Sequence, residues 1–88
     1  MSAIENVIVD AITAAQLRAA RALVNWSQEQ LAQASEIPKR TIARMELGQG
    51  APQRRTVSAL RAALESAGVV FVPGNGDGPG VRLRKDRG

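Results

Sequence analysis

Cysteine and histidine are both missing from this 88-residue chain, and the two absences exclude a wide range of chemistry. Without cysteine there are no disulfides and no thiolate metal sites to supplement the core. Without histidine the Ser-His and Cys-His nucleophile pairs are gone, along with most zinc sites and the one side chain that titrates unperturbed near neutrality. A chain of this length buries about 60–65% of the surface its unfolded form exposes, which leaves little room for a deep catalytic cleft. Long apolar runs are missing too. The longest lies in "GVVFVPG", far short of the roughly 20 residues that a bilayer crossing requires. The opening "MSAIENVIVD" lacks the basic start of a signal peptide. The expectation is a cytoplasmic protein that is not an enzyme and holds no cofactor or metal.

What is present is charge, unevenly placed. The net charge is +4, but residues 1–37 carry two Arg against four acids, a net of −2. Residues 38–55 carry Lys39, Arg40, Arg44, Arg54 and Arg55 against Glu46, a net of +4. Residues 56–80 come to −1, and residues 81–88 to +3 through Arg82, Arg84, Lys85 and Arg87 less Asp86. Two basic blocks on a near-neutral scaffold fit a polyanion-binding surface better than general solubilisation.

The apolar spacing places the elements. Residues 1–12 hold Ile4, Val7, Ile8, Val9 and Ile12 and read as an extended arm. Thr13 is a predicted N-cap for a helix to about Val24, with Leu17, Ala20 and Val24 along one face. In "NWSQEQLAQAS" the local signals agree: Ser27 and Gln30 form a capping box, Trp26 staples onto Leu31, and a helix runs from Gln28 to about Ser35. Pro38 suits the first turn of a third helix to about Glu46, with Ile42 and Met45 inward and Gly48 as its terminator. Thr56 is the expected cap of a fourth helix to about Ala67, with Val57, Leu60 and Leu64 inward. The period then changes. "VVFV" and "VRLR" read as two strands of a β-hairpin around the loop "PGNGDGPG". That loop is no P-loop, having no G-K-[ST], and Pro79 or Val81 stands where the last Gly of G-x-G-x-x-G would be. Nor is it a Ca²⁺ loop, since Pro79 replaces a ligand and Asp86 the usual Glu after Asn75 and Asp77.

Two short helices with a turn of about three residues between them, flanked by packing helices, form a helix-turn-helix. The stretch "LRAARALVNWSQEQLAQASEIPKRTIARMELGQGAP" also resembles the phage-repressor class of helix-turn-helix regulators, the Xre/Cro-like family. The resemblance covers residues 13–67, carried by the SQEQLA box, the TI-x-R-x-E-x-G ending and the Pro after the loop. It implies a mainly α fold, a four-helix repressor-like core, here followed by a C-terminal β-hairpin, and it makes Pro38–Glu46 the recognition helix. Lys39, Arg40, Thr41 and Arg44 would then read base edges in the major groove. Their chemistry agrees: Arg offers a bidentate fork to guanine O6 and N7, Lys a point donor to the same atoms, and Thr41 suits a phosphate or a thymine methyl. Gln28 matches the family's backbone-anchoring glutamine at a helix N-terminus, where free N–H groups favour phosphate. Arg54 and Arg55 fall in the loop that commonly touches flanking phosphates. The same pattern pairs Arg21 with Glu46 as an internal ion pair. One residue departs from it: Glu36 stands where most members place Gly, and costs about 1–2 kcal/mol if the turn keeps its left-handed geometry.

The chain thus divides into an arm (1–12), a DNA-binding domain (13–67) and a hairpin tail (68–88). The expected activity is sequence-specific binding to double-stranded DNA as a homodimer on a palindromic operator, in transcriptional regulation. The tail's apolar residues Val70, Val72, Val81 and Leu83 are read as one dimerisation face, removable without unfolding the helices. The alternative is a protein-interaction module, an antitoxin or anti-activator whose tail binds another protein. Neither a membrane nor an effector molecule is expected as a partner.

Overall fold

The computed structural model describes residues 11–74 and 76–85. The N-terminal arm, apart from Ala11 and Ile12, lies outside the described residues. Helices α1 (Ala14–Leu23), α2 (Gln28–Ser35), α3 (Lys39–Glu46) and α4 (Arg54–Ser66) precede strands β1 (Val69–Val72) and β2 (Gly80–Leu83).

The first two helices begin as their sequences dictate. Thr13 Oγ1 accepts the Gln16 N–H at 3.0 Å while Gln16 Oε1 accepts the Thr13 N–H at 2.9 Å. Ser27 and Gln30 repeat the exchange at 3.0 and 2.8 Å, so both N-termini carry complete capping boxes. Helix α4 corrects its expectation. Gln53, extended at φ −70° and ψ 149°, is the N-cap and uses no side-chain bond. The helix therefore starts at Arg54 and places Thr56 inside its first turn. The arginines before Thr56 are good helix formers, and Val57 N–H already bonds Gln53 O at 3.1 Å. Pro38, likewise, caps α3 from just outside it.

Each helix contributes its apolar stripe to one core. Leu17 and Ala20 come from α1, Leu31 from α2, Ile42 and Met45 from α3, and Val57, Leu60 and Leu64 from α4. Val24, Trp26 and Ile37 pack at its margin. Helix α1 packs on α3, and α2 lies against both α3 and α4, so the core fixes α3 from behind.

The hairpin joins the same core, against the expectation of a separable tail. Val69 and Phe71 are buried in the helical cluster, and the Arg61 guanidinium stands 5.4 Å over the Phe71 ring in cation–π contact. The buried Gln16 side chain donates to Val72 O at 3.3 Å and Gly80 O at 3.0 Å. The register also splits the residues assigned to one face. Val69 pairs with Leu83, Val70 with Arg82, Phe71 with Val81 and Val72 with Gly80. Cross-strand partners share a face, so Val81 and Leu83 lie with the core-facing Val69 and Phe71, whereas Val70 and Val72 lie with Arg82 on the other side. The alternation in "VRLR" was legible. Which residues of β1 it would meet depends on the loop, whose length does not set the register.

Candidate nucleic-acid interface

The turn between α2 and α3 decides where α3 points. Glu36 occupies the left-handed region at φ 62° and ψ 30°, so the turn keeps its left-handed geometry with a glutamate in place of glycine. Local bonds offset the strain. Glu36 N–H donates to Ala32 O at 2.8 Å. The Ser35 hydroxyl donates to Leu31 O at 2.7 Å and accepts the Ile37 N–H at 3.2 Å. The Glu36 side chain is exposed, so its charge stays hydrated.

Helix α3 then presents two opposed sides. Ile42, Met45 and Glu46 are buried, while Lys39, Arg40 and Arg44 are exposed and Thr41 is half-buried. The four residues expected to read bases therefore share one helix and its outer surface. Arg44 leans toward the following loop: a Cβ on Gly50 would come within 3.3 Å of Arg44 Nη2, and Gly50 sits at φ +74°. The positive φ is what favours glycine there.

Behind α3, the pairing of Arg21 with Glu46 is present. Arg21 Nε donates to Glu46 Oε2 at 2.7 Å and Nη2 to Oε1 at 3.0 Å, a bidentate fork. Arg21 Nη1 also donates to Trp26 O at 2.9 Å, so one guanidinium joins α1, the turn before α2, and α3. Gln28 Nε2 donates to Glu46 Oε1 at 2.9 Å, which places the expected phosphate anchor inside the same network with one amide N–H engaged. Arg18, which sequence reasoning missed, donates through Nη1 to the Glu46 carbonyl. Its spacing of three from Arg21 on α1 is the signal that could have found it. Burial by itself pushes the Glu46 carboxyl up. The hydrogen bonds from Arg21 and Gln28 and the charges of Arg21 and Arg18 outweigh it, leaving the group below its ordinary value. The hydrogen bond to Glu46 in turn raises Arg21, against a smaller opposing effect of its own desolvation.

The helix-turn-helix family model matches residues 17–67, more than half of the chain and the whole of this arrangement from mid-α1 to the end of α4. The chain belongs to the Xre/Cro-like helix-turn-helix family. None of the curated proteins compared with it matches. As an Xre/Cro-like protein it is a DNA-binding helix-turn-helix regulator, and α2 and α3 are its two motif helices. Arg54 and Arg55 open α4 and are exposed at the far end of the loop that leaves α3. Among the described residues no cluster of His, Cys, Asp or Glu could hold a metal ion, and no helix is long and apolar enough to cross a membrane.

Proposed function

We propose that this Xre/Cro-like protein is a sequence-specific transcriptional regulator that binds a palindromic operator as a homodimer, with α3 in the major groove. The observation that carries the reading is the construction of α3 itself. Its outer surface bears Lys39, Arg40 and Arg44, and its inner surface is locked to α1 and α2 through Glu46. Cations held at a fixed angle can discriminate between base edges. Cations on a loosely docked helix bind phosphate without preference. Lys39, Arg40, Thr41 and Arg44 are the base-reading residues, and Gln28, Arg54 and Arg55 hold the flanking backbone.

One such helix covers only a few base pairs, so operator-level specificity calls for a two-fold dimer on half-sites about 34 Å apart. The hairpin supplies the partner surface. Val70 and Val72 are half-buried on its outward face and Leu83 is 47% exposed at its end, beside strand edges that a second copy can cover. Val70→Asp is expected to shift the protein from dimer to monomer in sedimentation equilibrium while the far-ultraviolet circular dichroism stays unchanged. A variant that still dimerises would place the interface elsewhere.

The test of the whole reading is a footprint on the DNA upstream of the protein's own gene, followed by titration on that site and on random duplex. Arg40→Ala and Arg44→Ala are each expected to cost about 1–3 kcal/mol on the operator and to relax specificity. Arg55→Ala should weaken both duplexes alike and lower the salt slope by about one unit. Equal losses on operator and random DNA for all three variants would refute the assignment of α3 as the reading helix.

A further inference from the structure

Leu47 is the most exposed large apolar side chain among the described residues, at 71%. Its side chain takes no part in the buried cluster or its margin, so the core does not require a leucine there. Its backbone is nevertheless fixed. At φ −91° and ψ 0° it continues the helical spiral, and its N–H donates to Ala43 O and Arg44 O, both at 3.2 Å. Immediately before it, Glu46 is tied by its side chain to Arg21 and Gln28 and by its carbonyl to Arg18. The end of α3 is thus as firmly placed as its start.

The helical repeat decides where Leu47 faces. Arg40, Arg44 and Leu47 are spaced four and three apart, which keeps them within about 60° of arc. Ile42, Met45 and Glu46 are buried on the opposite side. Leu47 therefore extends the cationic line instead of belonging to a separate surface.

We infer that Leu47 is a further specificity-determining residue, packing against the C5-methyl group of a thymine in the major groove. The inference rests on the proposed placement of α3 in that groove. Leucine has no donor or acceptor, and the thymine methyl is the one apolar group that the base edges offer there. A phosphate would gain nothing from it. With a rise of about 1.5 Å per residue, Leu47 lies about 10 Å along the helix from Arg40, far enough to meet a different base pair. Arg40 and Leu47 together then specify a guanine and a thymine at different positions of each half-site. Because the methyl contact moves no counterions, its share of the affinity is independent of salt, unlike that of the arginines.

The experiment uses the full-length protein on its footprinted operator, with each thymine in turn replaced by deoxyuridine, which removes only the methyl group. The wild type is expected to lose about three- to fivefold in affinity at one thymine per half-site, equally at low and high salt. The loss should disappear in Leu47→Ala and in Leu47→Gln, while both variants keep the wild-type salt slope and circular dichroism. Indifference of the wild type to every deoxyuridine would overturn the inference. So would a deoxyuridine penalty that persists in both variants, or a drop in affinity that sedimentation traces to loss of a dimer. If Arg40→Ala still relaxes specificity in those cases, only the role of Leu47 has failed. Equal losses for Arg40→Ala and Arg44→Ala on operator and random DNA would instead overturn the placement of α3.

Discussion

Truncation after Gly68 is expected to unfold the helices, not to release a folded monomer. Val69 and Phe71 are 1% and 7% exposed, and they belong to the same cluster as Leu17, Leu60 and Leu64. Losing one buried phenylalanine costs about 3–5 kcal/mol, and the whole stability of a small domain is about 5–15 kcal/mol. The truncation removes more than that one ring. Gln16 would lose its bonds to Val72 O and Gly80 O, and a buried amide left without partners costs about a further 1–3 kcal/mol. A chain of residues 1–68 should show little helical circular dichroism at 25 °C, and Phe71→Ala in the full chain should lose about 3 kcal/mol in urea titration. A truncated chain that melts cooperatively at the full-length temperature would show that the hairpin is separable after all.

The helices were legible because each carries its signals within a few residues. The capping boxes Thr13/Gln16 and Ser27/Gln30 are local exchanges between a hydroxyl, an amide and two backbone N–H groups, and they name their own helix starts. The inward faces followed from the 3.6-residue period, and with them the outward-facing cationic surface of α3. Thr56 misled because a capping residue competes with whatever precedes it: Gln53, extended after Pro52, could begin the helix sooner. The hairpin was legible as well, but not the sides on which its apolar residues fall. Alternation shows that Val81 and Leu83 share a face, but whether Val70 or Phe71 joins them depends on the register of the pairing, which the loop's length alone does not give. Gln16 was invisible as an anchor, since its partners are backbone carbonyls 56 and 64 residues away. Glu36 was legible as a problem, and its solution lay next door in the Ser35 hydroxyl that stitches the turn.

Glu46→Ala is expected to cost about 3 kcal/mol at neutral pH, the lower end of the range for breaking a buried ion pair. The lower end applies because the Arg21 side chain remains 24% exposed and can recruit water, whereas that of Glu46 is only 5% exposed. The variant also strands the Gln28 amide and loosens the joint between α1 and α3. The pH dependence separates charge from packing. The folded-state value of Glu46 lies below its ordinary 4.5, so its electrostatic contribution is present in full above about pH 4.5 and is lost as pH falls through the lower folded-state value. Urea titrations at pH 7 and pH 3 should therefore show the gap between wild type and Glu46→Ala narrowing in acid. A gap of equal size at both pH values would mean that the loss is one of packing alone. Glu46→Gln keeps the shape and an acceptor for Arg21 but removes the charge. It should stay folded with a smaller loss, and on the proposed reading its discrimination between operator and random DNA should fall, because Glu46 ties α3 to α1 and α2 from the side opposite Arg40 and Arg44.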